Sequence, residues 1–359
     1  MKIIINTPFI SSPAGVSNHY LGLKDYFSDN VIYNQYWTGN FIRRNIRFKI
    51  LYKPLRFFFM FFDIIKFIFF ILVYRRPIIL LNPSFGHNAL KRDAYFLRIG
   101  KFFGCKVAVF IHGWDKTYLE KVFKKEESFS CIWYKADAFF VLANEFKRYL
   151  QQLGVLSPIY LTTTKVDDKL LEDKYEKKIE EVSTILFLAR VEKTKGIYTT
   201  IEAFEILVKK YPEMSLRIVG GGEALEEAKI YIAKKQLRNV YFTGPLKGKD
   251  LQKEFLNADL YILPTHGEGM PTSVLEAMAF GLPVITRPVG GLVDFFEDDS
   301  MGYLIESLNP KDYAEKIELL INDIEKTNSI SYYNIQYAKD HFLASKVAQQ
   351  LESILLEIK

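Results

Sequence analysis

Apolar residues fall in short uninterrupted runs, separated by longer stretches in which they recur at helical spacing. Residues 2–6 (KIIIN) predict a buried strand, 7–15 (TPFISSPAG) the loop after it, and 16–27 a helix with Leu21, Leu23 and Phe27 available for packing. The runs at 78–81 (IILL), 106–111 (KVAVFI), 138–142 (AFFVL) and 159–161 read the same way, with helices from a turn at 82–87 to about 103 and over 144–153. Strands without polar alternation are buried on both faces, as in parallel sheets covered by helices. Residues 162–182 are polar, charged and poor in large apolar side chains, which predicts an interdomain boundary there. The βα alternation then restarts, with strands at 184–189 (TILFLA), 216–219, 240–244 (VYFTG) and 259–263 (DLYIL). Amphipathic helices are expected over 310–324 and 345–358. The pattern predicts an α/β chain of two parallel-sheet domains, 1–165 and 166–340, followed by a terminal helix over 341–359.

One segment breaks the pattern. Residues 41–74 carry eight phenylalanines between Phe57 and Phe70, preceded by Arg43, Arg44, Arg47, Lys49, Lys53 and Arg56 and followed by Arg75 and Arg76. Residues 57–73 span roughly 25 Å as a helix, close to membrane-spanning length. Asp63 and Lys66 interrupt the run, and a charge near a bilayer centre costs about 2.5–3.5 kcal/mol, so a transmembrane span is disfavoured. On a helical wheel Arg56, Asp63 and Lys66 share one narrow stripe, leaving apolar surface for the sheet and an excess for another partner. The segment reads as a helix docking the first domain on an anionic membrane surface through 43–76, or as a core helix of that domain.

Charge sharpens this picture. The net +6 hides an asymmetry: residues through Lys165 hold 24 basic and 10 acidic side chains, a net +14, and the remainder carries −8. An anionic partner is implied for the first half. Consecutive phenylalanines without interleaved basic residues fit a lipid surface better than nucleic acid, so no nucleic acid partner is expected. Cys105 and Cys131 lack metal-ligand spacing and favour a reducing cytosol. The opening MKIIINTPF is too short an apolar run for a secretory signal and lacks a cleavage region.

Candidate chemistry gathers at predicted strand ends. His112 follows the strand at 106–111, where a parallel sheet faces its ligands, and Arg190 and Lys195 follow the strand at 184–189. Gly220-Gly221-Gly222 invites a dinucleotide fingerprint, but that pattern needs glycine where Leu225 stands; the triplet allows close backbone approach instead. The stretch 265–291, THGEGMPTSVLEAMAFGLPVITRPVGG, sets Glu268 and Glu276 eight positions apart around a loop that becomes a helix. Backbone N–H groups near Met270–Ser273 would open that helix, where a diphosphate binds well.

Glu-Gly-Met-Pro-x-x-x-Leu-Glu-Ala-Met-Ala-x-Gly-x-Pro-Val-Ile resembles the signature of family 4 of the retaining glycosyltransferases, which have the GT-B fold. The resemblance implies two Rossmann-like domains facing a central cleft, with the C-terminal helix crossing back to the first. It implies that Arg190 and Lys195 hold the donor diphosphate, Glu276 the ribose and Glu268 the donor sugar, with His112 near the reacting carbon. Gly15, Gly222, Gly269, Met270, Pro271, Thr272 and Ser273 would offer backbone to the donor, and Pro245 and Leu246 would lie near the base. With two cations on the diphosphate and no Asp-x-Asp motif, neither cofactor nor metal is expected. The chain departs from the family at Ala14–Gly15 (two glycines), at 162–167 (only Val166-Asp167 match) and at Val293-Asp294 (Pro-Glu). The implied partners are a nucleotide sugar and a saccharide or polyprenyl-linked saccharide acceptor at the cytoplasmic membrane face. A nucleotide-sugar epimerase or another GT-B enzyme, and a non-catalytic membrane-recruitment module, are the alternatives.

Overall fold

A computed structural model of the chain describes residues 1–11, 15–37, 52–171 and 177–358. Arg43, Arg44, Arg47 and Lys49 lie outside the described residues, as do Ala14 and the side chains of Lys53, Arg56 and Phe57. The chain divides into two compact units, Met1–Thr164 with Ala344–Lys359, and Lys165–Leu343.

The first unit holds six parallel strands: β1 (Ile3–Pro8), β2 (Val31–Tyr36), β3 (Ile78–Leu81), β4 (Val107–Ile111), β5 (Ala138–Val141) and β6 (Ile159–Leu161). Their order is β2-β1-β3-β4-β5-β6. The central strands are buried from end to end, as their unbroken apolar runs require. The edge strand β2, VIYNQY, mixes polar and apolar positions and carries no such signal in the sequence. The first helix covers Gly15–Leu23 and stops short of the predicted 27, because the chain must turn back into β2. Ser28 in that turn donates its backbone N–H to Glu352 at 3.0 Å. Glu352 lies on the last helix, Ala344–Glu357, which belongs to this unit.

The second unit holds β7 (Thr184–Leu188), β8 (Ser215–Val219), β9 (Val240–Gly244), β10 (Leu260–Leu263), β11 (Val284–Thr286) and β12 (Gly302–Leu304), all parallel. The order β12-β11-β10-β7-β8-β9 reverses direction between β7 and β10. This is the doubly wound order, whose switch point is where such sheets take ligands. The predicted helix at 310–324 is Pro310–Asn322. Asp323 then caps a further helix, Ile324–His341, that the apolar pattern did not reveal.

The Phe-rich segment is a helix over Tyr52–Tyr74, and its polarity is inverted. Asp63 and Lys66 face the protein: Asp63 is 1% exposed and accepts the Trp37 backbone N–H at 2.9 Å, and Lys66 donates to the Gln35 carbonyl at 3.1 Å. Phe67 and Ile71 are buried beside them, Phe67 against the Phe96 ring. Phe58, Phe61, Phe62, Ile65, Phe69, Leu72 and Val73 are all exposed, Phe69 to 61%. Among the described residues no helix is long and apolar enough to cross a membrane.

Candidate functional site

In the second unit, the loops after β7 and β10 flank the switch point, and the sequence stations one ionic partner on each. Lys195 closes the turn after β7. Gly196 follows it with φ +77, the left-handed region that suits glycine, and a Cβ there would lie 2.2 Å from the Pro264 carbonyl oxygen. That close approach locks the Lys195 turn against the end of β10. His266 seals the same seam by donating its backbone N–H to the Thr194 carbonyl at 2.9 Å.

Across this seam Lys195 forms an ion pair with Glu268, and the two side chains are only 14% and 19% exposed. Glu268 also accepts the Thr265 hydroxyl at 3.2 Å. Arg287 donates to the Thr265 carbonyl at 3.3 Å and to the Glu306 carbonyl at 2.8 Å, bracing the loop from behind. Gly290, at φ +53, passes close to the Glu268 and Gly269 carbonyls, where a Cβ would sit 2.3 Å from either oxygen. Thr265 and Arg287 are positioning residues that the sequence reading passed over. Nothing in their spacing marks them, because Thr265 makes a single side-chain contact with Glu268 and Arg287 reaches the loop through a backbone carbonyl.

The helix Thr272–Ala279 starts directly after Pro271 and ends at Gly281, φ +72, which lets Ser331 and Ile335 of the helix Ile324–His341 pack against the turn. Ser273 lies 2.7 Å from the Tyr261 hydroxyl, which itself donates to the Leu188 carbonyl at 3.0 Å, tying the helix start to β7 and β10. Glu276 stands one turn further along. Burial pushes its carboxyl up to about 7; nearby Lys165 pulls it down and Asp167 pushes it up.

The other predicted donor residues are more dispersed. Arg190 is 69% exposed and pairs with Glu192 rather than with Glu268. Lys193, two positions before Lys195, reaches away to Glu227 at 3.0 Å. Gly220 and Gly222 are explained by the unit's own backbone, since a Cβ on either would strike the Ala189 or Val191 carbonyl oxygen. Gly221 brings Pro245 beside the triplet, with a Cβ position 3.4 Å from the Pro245 ring, and Leu246 follows on the same loop.

In the first unit, His112 follows β4 and stacks on Phe110 with ring centroids 3.7 Å apart. Burial and the neighbouring His19 ring hold its imidazole well below the usual histidine range, so it is neutral at physiological pH. Gly15 opens the first helix, and a Cβ there would meet nothing within 4 Å.

Comparison with known proteins places this geometry. Residues 168–337 match the family described as glycosyl transferases group 1. The capsular polysaccharide biosynthesis glycosyltransferase CapM of Staphylococcus aureus is 30% identical over 216 residues, 59% of this chain and 56% of that protein. Spore coat protein SA of Bacillus subtilis is 28% identical over 179 residues, 47% of this chain and 48% of its own length. The chain thus spans about half the length of the curated relatives it matches. Among solved structures, Anabaena Alr3699/HepE in complex with UDP superposes with a TM-score of 0.74 at 15% identity, covering 99% of this chain and 100% of that one. The pneumococcal O-GlcNAc transferase GtfA gives 0.63 at 20% identity over 81% of this chain and 59% of its own. Residues 168–337, in the second unit, thus resemble the glycosyl transferases group 1 family, and the chain as a whole shares the GT-B fold of its solved neighbours.

Proposed function

We propose that the protein is a retaining, metal-independent glycosyltransferase of hexosyltransferase type that moves a sugar from a nucleoside-diphosphate sugar to a saccharide or lipid-linked saccharide. The observation that carries this reading is the Lys195–Glu268 ion pair at the switch point of the second sheet, with Glu276 on the helix behind it. A lysine there offers charge to a diphosphate, and a carboxylate beside it offers acceptors to sugar hydroxyls. Charge builds on the diphosphate as the glycosidic bond breaks, and fixed cations lower that barrier without reorganising. Lys195, and Arg190 after release from Glu192, supply them in this reading. Glu268 holds the sugar rather than attacking it, and Glu276 holds the ribose, so the two carboxylates serve different parts of one donor. His112 of the first unit contributes at the sugar.

The second part of the proposal is peripheral attachment to the cytoplasmic face of the cell membrane, where a lipid-linked acceptor for a surface polysaccharide such as lipopolysaccharide would be found. The inverted helix Tyr52–Tyr74 supports it. A hydrogen bond accepted by Asp63 and one donated by Lys66 fix the helix to the protein and leave the phenylalanine face outward. Exposed Arg75 and Arg76 stand at its end, and basic residues at a membrane surface are worth about 1 kcal/mol each with anionic lipid.

The test is release of nucleoside diphosphate from a panel of sugar nucleotides, with and without polyprenyl-linked saccharide acceptors. The panel begins with uridine nucleotides, which solved neighbours of this fold hold. Acceptor-dependent release of the nucleotide supports the proposal. Interconversion of the sugar without release would instead identify an epimerase, and binding without turnover a recruitment module.

A further inference from the structure

The His112 imidazole is fixed by a chain of hydrogen bonds whose direction can be read without seeing a hydrogen. Asn82, directly after β3 and 2% exposed, lies between two sets of partners. One end of its amide approaches the backbone carbonyls of Asn6 at 3.1 Å and Leu80 at 3.2 Å. Carbonyls only accept, so that end is the NH2 group and the other is the oxygen. The oxygen receives the Tyr20 hydroxyl at 2.6 Å and stands 3.0 Å from His112 Nε2. Tyr20 is fully buried and its phenol is held well above the usual range, so it keeps its proton.

An amide oxygen cannot donate. The proton in the Asn82–His112 bond therefore sits on Nε2, and in the neutral ring Nδ1 is left with a bare lone pair. Among the described residues, His112 Nδ1 has no hydrogen-bond partner. Phe110 stacked on one face and the edges of His19 and Tyr20 pack around the ring in the orientation that sets Nε2 on the Asn82 oxygen.

We propose that Asn82 is a positioning residue that locks His112 as the Nε2–H tautomer, so that Nδ1 acts as a hydrogen-bond acceptor for a hydroxyl of the bound sugar. This rests on the reading that His112 meets the sugar. A hydroxyl can donate to that lone pair, whereas a carboxylate or carbonyl oxygen at the same point is repelled. Asn82 thus sets which group the sugar must present, without touching the sugar itself. Tyr20 fills the remaining acceptor position of the amide, and a rotated Asn82 would lose both carbonyl contacts and set its oxygen against two carbonyl oxygens.

Long-range proton–nitrogen NMR on the intact chain labelled at its five histidines tests this, with His112 assigned by its absence in His112→Gln. Wild type is expected to show a neutral ring at about pH 7, protonated at Nε2 and bare at Nδ1. Asn82→Leu is expected to mix the tautomers and to lower turnover roughly tenfold with nucleoside-diphosphate affinity unchanged, the effect of one misdirected hydrogen bond. If Asn82→Leu does not fold, the isosteric Asn82→Asp decides: a carboxylate beside Nε2–H is expected to raise the imidazole pKa and charge the ring. A wild-type ring protonated at Nδ1 overturns the proposal, as does an unchanged tautomer in Asn82→Leu or an unchanged titration in Asn82→Asp. Saturating sugar nucleotide is expected to shift the Nδ1 signal. If the tautomer is as stated but the signal stays still, the hydroxyl-reading role is overturned, while nucleotide release still tests glycosyl transfer by itself.

Discussion

Lys195 and Glu268 are 73 residues apart in the chain and form a part-buried ion pair between the loops after β7 and β10. Each residue is the proposed ligand of a different part of the donor, and each is paired with the other. Donor binding must therefore replace this pair with new charge-assisted contacts of similar strength.

The pair predicts opposite effects from its two members. Lys195→Met removes a charged donor worth about 1.5–3 kcal/mol and is expected to weaken nucleoside-diphosphate binding about 10- to 100-fold. Glu268→Gln releases Lys195 and is expected to leave nucleoside-diphosphate affinity equal or tighter while sugar transfer falls. Calorimetric titration beside a turnover assay checks both, and loss of nucleotide affinity in Glu268→Gln would count against the division of roles.

Glu276 predicts a trade between stability and binding. Its folded pKa of about 7 exceeds the ordinary 4.5, so between these values the folded state holds a proton that the unfolded chain has released. The group's contribution is full below about 4.5 and is lost as pH rises through about 7, leaving an ionised carboxylate that costs at most about 3 kcal/mol. Glu276→Gln is expected to raise the Tm at about pH 8 and to leave it unchanged near pH 4.5. If the ionised form holds the ribose, wild-type nucleotide affinity is about tenfold weaker at pH 6 than at pH 8, and the Gln variant loses that dependence.

Much of this was legible in the sequence, and the remainder has a physical reason. Central strands such as β3 and β4 announce themselves because burial on both faces demands unbroken apolar runs. The edge strand β2 mixes polar with apolar positions, and β11 and β12 are largely buried but only three residues long, too short to stand out. The stretch 265–291 marks Glu268 and Glu276 because loop and helix are contiguous there. Thr265, which donates to Glu268, Arg287, which braces that loop by its carbonyls, and Asn82, which holds His112 in the first unit, make single contacts that leave no periodic trace. The helix Tyr52–Tyr74 shows a different limit. Its wheel gives the charged stripe, but only the contacts of Asp63 and Lys66 reveal that these two residues face inward.

That inversion predicts where membrane affinity resides. Changing Phe58, Phe62 and Phe69 to Ser removes exposed aromatic surface without touching Asp63 or Lys66, and is expected to abolish flotation with anionic vesicles while leaving the Tm within about a degree of wild type. Asp63→Leu is expected to do the reverse: loss of stability by about 1–3 kcal/mol, because the Trp37 N–H and the surrounding buried polar groups lose a partner. Equal, negligible flotation of wild type and the triple variant would sink the membrane assignment.

Gly196 predicts the most local effect. Alanine there meets both a left-handed backbone and the Pro264 carbonyl oxygen at 2.2 Å, and is expected to cost at least about 2 kcal/mol. Nucleotide affinity should fall with it, since the displaced turn carries Lys195. A Gly196→Ala protein with wild-type thermal unfolding and affinity would contradict the role given to this seam.

Nucleotide binding by the second unit is the property on which every proposed role of Lys195, Glu268 and Glu276 depends. Titrating the intact chain with uridine, guanosine and other nucleoside diphosphates and their sugar conjugates, beside Lys195→Met and Glu276→Ala, measures it. The predicted result is saturable binding of one nucleotide class, weakened in both variants. Absence of saturable binding to every member of the panel, or binding that both variants retain unchanged, would contradict it.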